Sequence, residues 1–121
     1  GGGGGGGEIF VHCAEHEAGG TLTYQLAGEG FANTDAFAGV GRGVADPFHE
    51  LRGSLSDDIL HTSEVITDDL DPVWSKATVP LSTLCDGDLD LPIYFAVNDR
   101  DHGDKVDLIG SFETTVRGLI A

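Results

Sequence analysis

Four aspartates lie close together between two apolar segments near the end of the chain: Asp99, Asp101, Asp104 and Asp107. In an extended chain, Asp99 and Asp101 lie on the same side, because side chains alternate with a period of two. Asp107 stands at the start of the next apolar segment, so the loop can close on an ion from both ends. Short carboxylate side chains supply the hard oxygen ligands that Ca²⁺ prefers. The segment therefore predicts a calcium-binding loop between two strands.

The sequence excludes some other kinds of site and leaves one open. An EF-hand is excluded because, counting from Asp99, the sixth residue is Asp104 where glycine is required, and the twelfth is Gly110 where glutamate is required. A solvated acidic hairpin loop without a metal remains open on these residues alone. The chain has no Gly-x-Ser-x-Gly or His-Glu-x-x-His motif, and its histidines lack the paired spacing of a zinc site. The sequence thus indicates a binding protein and not an enzyme.

The charge balance restricts the class of partner. The chain has 121 residues, with 21 acidic and 6 basic residues and a net charge of −15. Nucleic-acid binding requires Lys and Arg to displace counterions, so this composition argues against it. It also argues against a standing attraction to an anionic bilayer, although a bound cation would reverse that locally.

Length and composition also indicate the number of domains and the compartment of the protein. The length fits one domain with one core. The cysteines Cys13 and Cys85 are too few for a disulfide framework, so we expect ordinary semi-buried thiols in a reducing compartment. We expect no membrane span and no secretory leader, because the chain has neither a long apolar run nor a basic-then-apolar start. It contains no methionine, which predicts a piece of a longer protein.

The elements that position the aspartates are short strands. Residues 1–7 are all glycine and predict a flexible linker, and residues 8–121 form the predicted domain. Alternating or continuous apolar patterns predict strands at residues 8–13, 21–27, 46–51, 59–66, 73–81, 91–97 and 108–115. No segment shows a convincing helical period. The pattern predicts an all-β, antiparallel sandwich of two four-stranded sheets with about seven to eight strands, whose loops 28–45 and 98–107 meet at one end.

Several motifs together resemble a C2 domain, and most closely the second C2 domain of copines. The C2-like features are Asp46-Pro47-Phe48, Asp71-Pro72-Val73-Trp74, and Asp99-x-Asp101 followed by Asp107-Leu108-Ile109-Gly110. The copine-like features are residues 62–66, 79–88 and 107–115, of which Leu84-Cys85-x-Gly87-Asp88 is the most specific. The resemblance covers nearly all of residues 7–121. Copines also carry a von Willebrand A-type domain, which this sequence does not contain.

The resemblance implies a set of calcium ligands in two loops: Asp35, Asp46, Asp99, Asp101 and Asp107. Four of them match the family pattern without gaps. Asp35 and Asp46 are separated by eleven positions, where the family usually has six, so a lengthened glycine-rich loop lies between them. The lysine cluster with which some C2 domains bind phosphoinositides has no counterpart here, and that activity is not expected.

The function implied is calcium-dependent binding to anionic phospholipid membranes, with Ca²⁺ as the cofactor. The protein would be cytoplasmic and would move to the plasma membrane when calcium rises. Phe37 and Val40, near the tip of the first loop, are candidate membrane-contact residues, with packing beneath the loop as the open alternative. His102 would lie beside the calcium cleft without binding the ion, and it is the third candidate membrane-contact residue. The rival function is a calcium-independent module that binds proteins through an exposed sheet face.

The resemblance finally gives an expectation for the chain ends. The last strand of a copine-like C2 domain would follow residue 121, so a place at a sheet edge would be empty. Residues 8–13 are rich in β-forming side chains. We expect them to pair in that place, because an open edge leaves N–H and C=O groups unpaired.

Overall fold

The computed structural model describes residues 8–17, 20–30, 46–67, 69–100 and 106–121. Seven strands and two short helices follow one another along these residues. The strands are β1 Glu8–His16, β2 Thr21–Glu29, β3 Pro47–Arg52, β4 Ile59–Thr62, β5 Ala77–Pro80, β6 Pro92–Arg100 and β7 Val106–Thr115. The helices are α1 Leu81–Cys85 and α2 Val116–Ile120. Neither helix is of a length or apolar character that would cross a membrane.

The strands form two antiparallel sheets, in the orders β1-β2-β5 and β4-β3-β6-β7. The predicted antiparallel sandwich is confirmed, with one sheet of four strands and one of three in the described part of the chain. Alternation along β2 explains the packing: Leu22, Tyr24 and Leu26 are fully buried, while the residues between them are half-buried. Ile93, Phe95 and Val97 are the corresponding buried residues of β6, so the two inner faces meet in one core.

Residues 8–13 do form a backbone ladder, as expected. Strand β1 runs on to His16 and pairs with β2 from Glu8 opposite Glu29 to His16 opposite Leu22. It is one of the two outer strands of the three-stranded sheet, and α2 packs against it. That this position would otherwise belong to a closing strand remains a prediction.

Helix α1 corrects the sequence prediction in the segment after β5. A strand was expected to continue through Leu81, but Leu81 begins a helix whose residues Leu84 and Cys85 are buried in the core. The helix ends at Asp86, which has a φ of 54°, and the chain turns at Gly87 with a φ of 75°. The apolar residues of this segment are therefore spaced for one turn of helix and not for a strand.

Two predicted strands are shorter in the structure. Residues 59–66 were expected to form one strand, but β4 ends at Thr62. Ser63, the next residue, contacts β3 through its side chain, since its hydroxyl accepts the His49 N–H at 2.7 Å. Residues 73–74 form only an isolated bridge between Val73 and Ala27.

Trp74 fixes the segment before β5 to both sheets. Its indole is fully buried, and its Nε1–H donates to the Pro47 carbonyl at 3.3 Å. Its backbone N–H donates to the Leu26 carbonyl, and its own carbonyl accepts from Gln25 Nε2 at 2.8 Å. These contacts give Trp74 a structural role.

The thiols differ from the expectation that both are semi-buried. Cys85 is fully buried, and this burial raises the pKa of its thiol. Cys13 is exposed on β1, where its Sγ lies 3.9 Å from Gln25 Oε1. Both are free thiols.

Candidate functional site

Three predicted calcium ligands lie at one end of the four-stranded sheet. Strand β6 runs between β3 and β7, so the end of β6 meets the start of both neighbours. Asp99 stands opposite Pro47 on one side and opposite Asp107 on the other. Asp46 directly precedes Pro47. The antiparallel register therefore brings Asp46 together with two aspartates that lie more than fifty positions later in the sequence.

Backbone hydrogen bonds hold this end in place. The side chain of Asp99 is almost completely buried, with 3% exposed, and its Oδ1 accepts the Asp46 N–H at 2.9 Å. The Asp46 carbonyl in turn accepts the Arg100 N–H at 3.1 Å. The Asp99 carboxylate is thus fixed relative to the residue that enters β3.

The β6–β7 register places the carboxyl groups of Asp99 and Asp107 at directly opposite positions of the ladder. Residues directly opposite in an antiparallel pair have Cβ atoms about 4.5–5.5 Å apart, and like charges in this position are destabilising. A divalent cation between such carboxylates would turn repulsion into attraction. The donor chemistry fits Ca²⁺, since the three aspartates offer hard oxygen ligands, whereas zinc sites are built mainly from Cys and His.

The described residues contain part of the predicted ligand set. Asp46, Asp99 and Asp107 are described, whereas Asp35 and Asp101 lie outside the described residues. The three membrane-contact candidates, Phe37, Val40 and His102, also lie outside them. Within residues 8–17, 20–30, 46–67, 69–100 and 106–121, no group of three or more His, Cys, Asp or Glu side chains is placed to hold a metal ion. A calcium centre at this end therefore needs the loop aspartates in addition to the three described here.

A small apolar pocket beside these aspartates was not predicted from the sequence. It has a volume of about 210 Å³ and is lined by Phe48, Thr62, Ser63, Val65, Arg100 and Val106. Val106 is 48% exposed, and Arg100 is exposed at the last position of β6. Their position in the sequence could have identified these two residues, because they border the aspartate loop, one at each end. An exposed apolar side chain next to a guanidinium suits contact with an apolar–polar boundary.

A second cluster of polar groups lies in the core between the two sheets. His49 is fully buried, and its Nε2 is 2.8 Å from the hydroxyl of Tyr24. Among the described residues, its Nδ1 has no hydrogen-bond partner. Burial lowers the pKa of His49 to about 4, with a further lowering from His61 and an opposing effect from Glu64. Burial also raises the pKa of Tyr24, so the neutral pair is stabilised.

Comparison with known proteins agrees with this architecture. The structure is similar to the C2-A domain of RIM from Drosophila, with a TM-score of 0.71 and 14% identity over 93% of this chain and 87% of that one. It is also similar to BON1-C2B, with a TM-score of 0.60 and 18% identity over 82% of this chain and 65% of that one. The chain has the C2 fold. A third similar structure is Extended-Synaptotagmin 2, in its SMP, C2-A and C2-B domains, with a TM-score of 0.54 and 23% identity over 82% of this chain and 21% of that one.

Sequence comparison gives a match to a larger protein. No family model matches the C2-fold chain. It is 30% identical over 129 residues to nicotinic receptor-associated protein 1 of Caenorhabditis elegans, in a match that covers 94% of this chain. The chain spans only 20% of the length of that relative.

Proposed function

We propose that this C2-fold chain binds anionic phospholipid membranes in a calcium-dependent manner and corresponds to the second C2 domain of a copine-like protein. The observation that carries the proposal is the position of the buried Asp99, directly opposite Asp107 and hydrogen-bonded to Asp46. The copine-like part rests on the sequence motifs, above all Leu84-Cys85-x-Gly87-Asp88. A binding role without catalysis is part of the same proposal.

Electrostatics explain why a cation would be required. With a net charge of −15, the chain repels an anionic bilayer. Bound Ca²⁺ would supply local positive charge and coordination positions that lipid phosphate oxygens can fill. Asp46, Asp99 and Asp107, with Asp35 and Asp101 from the loops, are the residues that would hold it.

The described side chains around the aspartates fit contact with a bilayer surface. The exposed Val106 is suited to the apolar side of the headgroup boundary, and the exposed Arg100 to lipid phosphate. We place Phe37, Val40 and His102 at the same contact on the basis of the sequence. On this proposal the protein is cytoplasmic and is recruited to the plasma membrane when calcium rises.

Vesicle sedimentation tests this function. The protein is mixed with vesicles of phosphatidylcholine, with and without phosphatidylserine, in calcium or in chelator. We expect sedimentation only with phosphatidylserine and calcium together. Asp99→Asn should abolish it, because the amide keeps the acceptor for the Asp46 N–H but loses the charge.

Asp58→Asn is the matched control, since Asp58 is exposed in the β3–β4 connection. It should sediment as the original chain does. Calcium-independent sedimentation, or retained sedimentation of Asp99→Asn, would contradict the proposal.

A second candidate function is protein binding without calcium. It is favoured by the relative of Caenorhabditis elegans, whose name describes association with a nicotinic receptor. If this is the main role, a protein partner will bind equally well in calcium and in chelator, and Asp99→Asn will leave that binding unchanged.

A further inference from the structure

The outer face of the four-stranded sheet contains a groove far larger than the pocket near the aspartates. Its volume is about 670 Å³. The residues that line it include Arg52, Asp57, Tyr94, Ala96, Leu108 and Glu113. They come from β6, β7, β3 and the connection after β3. The groove therefore lies across the sheet face and not at its edge.

The groove has a small-residue floor with apolar walls. Ala96 and Ser111 are opposite each other in the β6–β7 ladder and have short side chains, so the middle of the face is low. On either side stand Tyr94, which is 41% exposed, and Leu108, which is 64% exposed. Large apolar side chains that are this exposed and border one groove indicate a surface for association.

The charges around the groove are mainly acidic. Glu113 lies opposite Tyr94 in the ladder and is exposed, and Asp57 is exposed on the other side. The basic residue at the groove, Arg52, is already occupied: its NH1 is 3.6 Å from Glu50 Oε1, and its Nε donates to the Asp57 carbonyl at 3.1 Å. The field at the groove therefore favours a cationic partner, as does the net charge of −15.

The backbone below the groove limits the conformation of that partner. Strand β6 is paired on both sides, with β3 and with β7, so its N–H and C=O groups are used within the sheet. An extended peptide lying on this face would leave its own backbone groups without partners. A helix satisfies its backbone internally and presents one apolar stripe, which is the way amphipathic helices enter apolar grooves.

We propose that this groove, bordered by Tyr94, Leu108, Asp57 and Glu113, docks a basic amphipathic helix of a protein partner, independently of calcium. The apolar stripe of the helix lies between Tyr94 and Leu108, and Lys or Arg side chains flanking the stripe face Glu113 and Asp57. Asp46, Asp99 and Asp107 do not line the groove, but its wall Leu108 directly follows Asp107 on β7, so the two surfaces adjoin on the same sheet.

The probe for this surface is a fluorescein-labelled synthetic peptide of leucine and lysine at helical spacing. Anisotropy is measured in chelator at physiological ionic strength, where the Debye length is about 8 Å. Two peptides serve as controls: a scrambled one of the same composition without an apolar stripe, and one in which glutamate replaces lysine. We expect the leucine–lysine helix to bind at least about tenfold more tightly than either control, because both the stripe and the charge are needed.

Three variants locate the binding. Leu108→Gln and Glu113→Lys should each weaken it about five- to tenfold, since one removes an apolar wall and the other reverses an acidic charge. Glu15→Lys makes the same charge change on β1, where the residue is exposed on the other sheet, and should weaken binding less than about twofold. Leu108 and Glu113 are exposed, and unchanged thermal unfolding will show that both variants fold.

The outcomes separate this inference from the proposed membrane function. Glu113→Lys, near the other end of β7 from Asp107, should still sediment with phosphatidylserine vesicles in calcium, whereas Asp99→Asn should still bind the peptide. Equal binding of the helix and the scrambled peptide, or equal weakening by Glu113→Lys and Glu15→Lys, would show only general attraction to an acidic protein and would overturn the inference. Concentration-dependent dimerisation abolished by Leu108→Gln would also overturn it, with a second copy of the chain as the occupant.

Discussion

The buried histidine between the sheets should make the stability of the domain depend on mildly acidic pH. His49 has no exposed surface and stays neutral, because burial lowers its pKa from 6.5 to about 4. In the unfolded chain the imidazole is hydrated and binds a proton below about pH 6.5. Between these two values the unfolded state holds more protons than the folded state, so acidification favours unfolding.

The size of the effect follows from the two pKa values. A change from 6.5 to about 4 corresponds to about 3 kcal/mol in the free energy of unfolding once both states have titrated. Of this, about 2 kcal/mol is lost between about pH 7 and about pH 5. The contribution of the neutral His49 to the free energy of unfolding is therefore fully present above the unfolded-state pKa, and it is lost as the pH falls towards the folded-state pKa.

The assay compares unfolding by urea at about pH 7 and about pH 5 in chelator, followed by circular dichroism and by fluorescence. The chain has one tryptophan, Trp74, whose ring lies 4.9 Å from that of His49, so its fluorescence reports on the same cluster. His49→Gln keeps a polar group near Tyr24 but does not titrate. The variant should be less stable than the original chain at pH 7, and this difference should shrink by about 2 kcal/mol at pH 5.

The difference between the two proteins is the informative quantity, because the many carboxylates titrate in both. His12→Gln, on the exposed side of β1, is the matched control and should follow the original chain. If the original chain and His49→Gln lose the same stability between the two pH values, His49 is not held neutral by burial and the reasoning is refuted.

Two further predictions concern packing. Gly53→Ala should destabilise the domain by about 1–3 kcal/mol in urea unfolding, because an added Cβ would overlap the carbonyl oxygen of Leu84 in α1. The control is Gly20→Ala, where the atom nearest to the added Cβ is 3.8 Å away, and it should change stability by less than about 0.5 kcal/mol. Equal effects of the two variants would contradict the close approach of Gly53 to α1. Trp74→Phe should lower the free energy of unfolding, followed by circular dichroism, by about 2–3 kcal/mol, since it removes ring volume and the hydrogen bond to a buried carbonyl. The control is Val73→Ala, which truncates a half-exposed side chain. If Trp74→Phe destabilises no more than this control, the indole does not hold the two sheets together.

The sequence predicted the features that depend on local pattern. Alternation placed Leu22, Tyr24 and Leu26 on one face of a strand, and the structure buries all three. The position of Asp99 beside Asp107 also followed from the order of two strands around a short loop. Such features need only period-two geometry and the tendency of neighbouring antiparallel strands to pair.

The features that the sequence did not predict depend on contacts distant in the chain. The strand that was predicted to continue through Leu81 ends at Pro80, because the core takes up Leu81, Leu84 and Cys85 as one helical turn. The burial of His49 follows from its packing between Tyr24 and Trp74, which come from other parts of the chain. The groove on the outer sheet face likewise requires the cross-strand register, because its walls Tyr94 and Leu108 are on different strands.

The central claim, that the aspartates at the end of the four-stranded sheet hold calcium, is tested most directly by titration calorimetry of Ca²⁺ into the chelator-free protein. The comparison is between the original chain and Asp99→Asn combined with Asp107→Asn, the cross-strand pair at that end. Our account predicts saturable calcium binding by the original chain and its loss in the double variant, with the calcium-free melting temperature unchanged or higher because repulsion between the carboxylates is removed. No saturable calcium binding by the original chain, or undiminished binding by the folded double variant, would contradict it.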